Sequence, residues 1–297
     1  MTGIIVLTCF RQTVMDEKRW DLMLREDVDR IYDRIVMDMN TDYNKGKIIV
    51  LVEGYYDKKF YDKFKNNQNA IIFFTRGCEK MNALAEILRN AEYDYIAIQD
   101  ADFSNLGAAN SGMTEMFFTD FHDYEMTCIQ NRDVWNKLDK ELDLTSSCIS
   151  EQDLFDEIEV LSYYRFCSRA CDYNNGFKSI QGLVDKTGAL DFTFIHNHID
   201  KSHPRCIEIQ QGPLKSFIID HADAKNHPYD LHNGHDFLNR IVYKINQLSE
   251  HYYYDCDEQE IQEVLTNVTD IDDFRDTTLY KEIKAWGQYH KHKQVFL

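Results

Sequence analysis

The chain has 297 residues, with 51 acidic against 33 basic side chains for a net charge of −18, and is 43% hydrophobic and 13% aromatic. That apolar content is too rich for a disordered chain, and the length allows one large core or two smaller ones. Three prolines and 12 glycines argue against linker-rich or collagen-like designs, no run reaches the roughly 20 apolar residues that span a bilayer, and the negative charge disfavours broad adhesion to duplex nucleic acid.

The opening MTGIIVLTCFRQ has an apolar run but neither a basic region before it nor a cleavage-like site. Eight cysteines are scattered without a Cys-x-x-Cys pair. Together these features lead us to expect a reducing, cytoplasmic setting and no membrane association. Residues 16–39 place Trp20, Leu24, Val28, Ile31, Ile35 and Met39 at helical spacing. Ile48–Val52 then reads as a strand, Asp57–Phe64 as a helix, Ala70–Phe74 as a strand, Met81–Leu88 as a helix and Tyr95–Ile98 as a strand, with a short strand at Met116–Phe118. Continuous apolar strands separated by helix-length segments predict an α/β fold with a parallel sheet covered by helices on both faces. Beyond about residue 130 the periodicity is helical, over Val134–Leu144, Asp153–Cys171, Asp236–Ser249, Glu258–Val264 and Thr278–Trp286. The expected organisation is a helical lead-in over 1–46, an α/β domain over 47–130 and a mainly helical region over 131–297. Phe192–Asp236 mixes apolar runs with histidines and takes no assignment.

Two sets of carboxylates stand at strand ends. Glu53 directly follows Ile48–Val52, and Asp100 and Asp102 directly follow Tyr95–Ile98 and Gln99. Ligand crevices of open parallel sheets lie outside the carboxyl ends of the strands, so neighbouring strands would bring both sets to one edge. Convergent carboxylates repel unless a cation neutralises them, and a hard ion such as Mg²⁺ suits them, with phosphate oxygens and water completing its shell. Mn²⁺ is the alternative ion. Glu53 would then move a proton or help to hold the metal. Gly54 permits a tight turn, and Asp57 stands either at the same site or as a helix cap. Lys58, Arg76 and Lys80 are candidate phosphate-binding cations. Glu125, following the short strand with His122 and Asp123, is a further candidate metal ligand, helix capping being the other reading.

The ordered pair VEGYYD and IQDADF resembles the TOPRIM domain of topoisomerases, bacterial primases and several nucleases. By that resemblance Glu53 is the catalytic acid/base, Asp100 and Asp102 are Mg²⁺ ligands with catalytic roles, and Gly77 matches a glycine often found after the intervening strand. Thr119–Glu125 and Asn233-Gly234-His235-Asp236 resemble stand-alone TOPRIM proteins with a helical C-terminal region, among them the effector of the PARIS anti-phage system. The resemblance implies a metal-dependent nuclease acting on RNA (transfer RNA included) or DNA, deployed as a toxic effector and restrained by an ABC-type ATPase partner. A homodimer is a further arrangement compatible with it. The competing readings are a non-catalytic TOPRIM-fold module that only docks a partner, and a haloacid-dehalogenase-like phosphatase using Asp100 as nucleophile.

Other signals have plainer readings. His196, His198, His203, His221, His227, His232 and His235 lack the Cys pairs or helical His-x-x-x-His spacing of a zinc site. Cys167 and Cys171, one helical turn apart, fit a core face. Tyr252-Tyr253-Tyr254 can stack bases or pack in an interface. The basic end of the chain, from Lys281 to Lys293, reads as a solvated terminus.

Overall fold

The computed structural model describes residues 27–107, 115–173, 176–177, 192–200, 206, 208–248 and 256–297. Trp20, Leu24, His203 and the Tyr252–Tyr254 run lie outside these residues, as does the opening segment. The fold is α/β: a four-stranded all-parallel sheet flanked by helices, with a helical C-terminal part. Two compact units partition the chain. The first combines residues 1–99, 113–117 and 284–297, and the second 100–112 and 118–283. The division thus falls inside the region that periodicity alone assigns to one α/β domain.

In the first unit, helix α1 covers residues 27–39 and buries Val28, Ile35 and Met39. Strands β1 (Ile48–Val52), β2 (Ala70–Phe74), β3 (Tyr95–Gln99) and β4 (Met116–Phe118) pair in the order β2-β1-β3-β4. All five residues of β1 are inaccessible to solvent, which accounts for its uninterrupted apolar sequence. Helix α2 (Tyr55–Phe64) packs on β2, and α3 (Cys78–Asn90) on β3 and β1. The chain end joins the same unit. The Leu297 N–H donates to the Phe64 carbonyl (2.8 Å), Asn66 N–H donates to the Val295 carbonyl (2.8 Å), and Val295 and Phe296 are buried. The basic residues Lys281, Lys284 and His292 are exposed, in keeping with a solvated stretch, with burial at the apolar pair that follows. Lys293 extends its ammonium to the Gly46 carbonyl, and the apolar pair beyond it provides the burial that holds the end down.

The second unit is helical. It contains α4 (Tyr124–Gln130), α5 (Arg132–Leu142), α6 (Glu151–Ala170), a two-residue pairing of β5 (Gly176–Phe177) with β6 (Ile199–Asp200), α7 (Phe192–His198), α8 (Gln211–Asp220), α9 (Pro228–Leu231), α10 (Gly234–Leu248), α11 (Glu258–Val268) and α12 (Ile271–Arg275). Helix α13 (Thr278–Trp286) leads back to the first unit. Helix α6 is the axis of the packing, with α8, α9 and α10 against it. Its N-terminus is set by Ser150, whose Oγ accepts the Asp153 N–H (3.1 Å). Its Leu161, Tyr164, Phe166 and Cys167 share a core with Phe103, Ile195 and Leu214. Burial of Cys167 raises its thiol pKa to about 11, as befits a packing residue. Among the described residues no helix is long and apolar enough to cross a membrane.

Candidate active site

Strands β1 and β3 are hydrogen-bonded parallel neighbours, with Val52 opposite Ile98. The chain therefore leaves both strands at the same sheet edge, one residue before Glu53 and two residues before Asp100. Glu53 is half-buried. Its carbonyl accepts the N–H groups of Arg76 (2.8 Å) and Gly77 (3.1 Å), tying the end of β1 to the turn between β2 and α3. That turn runs through left-handed backbone, with φ 65° at Arg76 and 114° at Gly77, so a glycine at the second position relieves steric cost. On the other side, the Gly54 N–H donates to Asp57 Oδ2 (2.8 Å), and a Cβ on Gly54 would lie 2.6 Å from that oxygen. Asp57 thus closes the first turn of α2, the capping role, while its place next to the Glu53-Gly54 turn keeps it at the sheet edge.

The Asp-x-Asp segment is anchored inside the second unit. Ala101 N–H donates to Thr119 Oγ1 (2.9 Å) and Asp102 N–H to the His122 carbonyl (2.8 Å). Asp102 itself adopts φ 47°. Its carboxylate is open to solvent on one side and faces His122 Nε2 at 3.9 Å and an Arg169 guanidinium nitrogen at 3.7 Å. The His122 ring is buried and oriented: Nδ1 lies 3.2 Å from the Asp230 carbonyl, which can only accept, and Asn233 Nδ2 is 3.4 Å from Nε2. These partners select the Nδ1–H tautomer. Deeper in the unit His232 stacks on Phe155 and lies 2.7 Å from Ser162 Oγ. Burial, reinforced by His122, pushes its pKa down to about 3.

The two further motifs, Thr119–Glu125 and Asn233–Asp236, meet in this unit. Asp123 caps α4 by accepting the Met126 N–H (2.8 Å) and with its other oxygen accepts the Gly234 N–H (2.5 Å). Glu125, almost fully buried, accepts from Gln262 Nε2 (3.2 Å) and lies 4.0 Å from His235 Nε2. His235 also pairs with Glu258 (2.5 Å). The packed atoms around the imidazole oppose its charge although half of the side chain stays exposed, yet the carboxylates of Glu125, Glu258 and Asp123 outweigh them and raise its pKa to about 10. Asp236, with no exposed surface, receives a two-pronged hydrogen bond from Arg165 at 2.6 and 2.9 Å.

Of the candidate phosphate-binding cations, Lys80 is engaged by Asp27 at 2.6 Å, and that pairing lowers the Asp27 pKa. Lys58 pairs with Asp62 one turn along α2, while Arg76 is exposed. Among the described residues no group of three or more His, Cys, Asp or Glu side chains is arranged to hold a metal ion. The donor set after β3 nevertheless suits Mg²⁺, which characteristically takes one or two carboxylates and fills its shell with water and phosphate oxygens. Arg169, on α6 and far along the chain from Asp102, is the neighbour that no local sequence pattern announces. No family model matches the chain, and no curated protein matches it in sequence.

Proposed function

We propose that the chain is a TOPRIM-like, Mg²⁺-dependent nuclease that hydrolyses phosphodiester bonds in RNA or DNA. The observation carrying this reading is the register of β1 against β3: Val52 pairs with Ile98, so a strand-Glu-Gly turn and a strand-Asp-x-Asp turn issue from adjacent parallel strands at one edge. Glu53 acts as the acid/base that moves the proton of the nucleophile or leaving oxygen. Asp100 and Asp102 hold the ion, with Mn²⁺ as substitute, and Asp57 and Glu125 are secondary ligand candidates. An ion held there would supply Lewis-acid stabilisation of charge on phosphate oxygens. From within their own unit, Arg169 positions the Asp102 carboxylate and the His122 carbonyl holds the Asp102 N–H (2.8 Å). The chain's net charge of −18 fits an effector held on a basic surface of an ATPase partner, in an anti-phage role and in the cytoplasm.

The test compares wild type with Glu53→Ala on plasmid DNA and total RNA, with Mg²⁺ or EDTA, alone and with the activated ATPase partner. Cleavage by wild type, abolished by EDTA and by Glu53→Ala, supports the reading and identifies the substrate. A wild-type protein inert on both pools under every condition defeats it and leaves the docking-module reading ahead.

A further inference from the structure

A cavity of about 240 Å³ opens in the first unit, and its walls include Asp27, Arg30, Arg34, Lys58, Phe74 and Arg76. Four cations face it against one carboxylate. Asp27 is already bonded to Lys80 (2.6 Å) and Lys58 to Asp62, while among the described residues Arg34 has only a loose pairing with Asp38 (4.0 Å). Arg30 and Arg34 stand one turn apart on α1, so both guanidinium groups serve the same face of the helix. Arg76 joins the lining from the turn after β2, its backbone held by the Glu53 carbonyl (2.8 Å). In a chain with an 18-charge acidic excess, a local cluster of this sign attracts an anionic partner.

The cavity wall is also aromatic. Phe74 lines it, and the largely exposed Tyr55 ring stands edge-on to Phe74 with centroids 5.9 Å apart. Cations that follow a phosphate backbone beside rings on which bases can stack are the ingredients of single-strand binding.

We infer that this cavity is a binding site for single-stranded nucleic acid, in which Arg30, Arg34 and Arg76 take successive phosphates beside the Phe74–Tyr55 wall. The inference rests on the nuclease reading for its role, as the place where the strand flanking the cut is gripped, but its binding prediction stands apart from cleavage. It adds α1 to the substrate surface and moves Lys80 from phosphate binding to neutralisation of Asp27.

The experiment is fluorescence anisotropy with fluorescein-labelled U12 RNA and dT12 DNA, in EDTA so that no cutting occurs. Wild type and an Arg30→Glu/Arg76→Ala double variant are titrated over a series of salt concentrations. Both changed arginines are exposed, so thermal unfolding of the double variant should match wild type; the single variant Arg34→Glu provides a second, independent disruption of the cluster. We expect wild type to bind at least one oligonucleotide, with an affinity that falls as salt rises. The double variant should bind about tenfold or more weakly, and its log–log salt slope should fall by about 0.7 for each phosphate that is no longer neutralised. Unchanged affinity and slope in both arginine variants would overturn the inference, as would failure of wild type to bind either oligonucleotide. Binding through the arginines without Mg²⁺-dependent cleavage would retire the nuclease reading and leave the strand-binding site standing.

Discussion

The Gly234 N–H donates to Asp123 Oδ2 across 2.5 Å while Asp123 Oδ1 accepts the Met126 N–H at 2.8 Å, so one carboxylate ties the starts of α4 and α10 together. The approach is close: a Cβ on Gly234 would lie 2.4 Å from the Glu125 Cβ and 2.5 Å from Asp123 Oδ1. Neither obstacle is the far end of a flexible side chain. Gly234→Ala should therefore cost about 1–3 kcal/mol, as overpacking does in well-filled interiors, read as a lowered urea midpoint at unchanged slope. Gly212→Ala is the control. Its Cβ would meet no atom within 4 Å, and its effect should stay within about 0.5 kcal/mol.

Asp102 and Glu125 should separate on mutation, although both enter the sequence as candidate metal ligands. Asp102 is partly open and has only the longer approaches to His122 and Arg169, whereas Glu125 is enclosed by Gln262 and His235. Asp102→Asn, which keeps a residue suited to φ 47°, is expected to reduce Mg²⁺-dependent cleavage by about 100-fold or more with little change in melting temperature. Glu125→Gln should destabilise the fold by about 1–3 kcal/mol, because it removes a buried charge that its neighbours are arranged to receive. Cleavage assays alongside calorimetry on both variants measure the contrast, and a Glu125→Gln protein of native stability with no cleavage would place Glu125 at the metal instead.

The strands were legible because burial on both faces leaves no room for polar residues. Ile48–Val52, Ala70–Phe74 and Met116–Phe118 match the observed elements end to end. Helix starts were less so: α3 begins at Cys78 rather than Met81, since the apolar stripe starts one turn after the Gly77 turn that initiates the helix. The stretch 192–236 resisted reading because α8 buries only Leu214 fully, too little to impose a period. Glu53, Asp100 and Asp102 could be picked out by their position after apolar runs. Arg169 and Arg30 could not, because their roles depend on helices folding back across long separations. Asn233–Asp236 was visible as a motif, but its meeting with Asp123 and Glu125 belongs to tertiary packing.

The Arg165–Asp236 pair joins α6 to the start of α10. Asp236 has no exposed surface and its two oxygens each take one guanidinium N–H, while Arg165 remains partly open to solvent. Removing the carboxylate leaves the cation in a packed seam, and Asp236→Ala should cost about 3 kcal/mol. Arg165→Met paired with Asp236→Leu removes both charges and should recover part of that stability, because the cost lies in the unpaired partner rather than in the absence of an ion pair. Chemical denaturation of Asp236→Ala, and of Arg165→Met, Asp236→Leu and their double variant, checks this, the last three closing the cycle.

Finally, His235 predicts a dependence of stability on alkaline pH. Its pKa in the folded chain is raised from 6.5 to about 10; the packed atoms around the ring act against the charge, but Glu125, Glu258 and Asp123 hold the proton more strongly. A group whose folded pKa lies above its unfolded value stabilises fully below the unfolded pKa, and the contribution disappears as pH climbs through the folded one. The difference in melting temperature between wild type and His235→Gln should therefore be largest near pH 6, decline above about 6.5 and be nearly gone by about 10. The partners facing the ring are Glu125 and Gln262 from α4 and α11 and Glu258 at the start of α11. Glu258→Gln should shift the decline to lower pH without abolishing it, since Glu125 and Asp123 remain. A wild-type-to-variant difference that stays constant across that whole range would show that the imidazole contributes by packing alone.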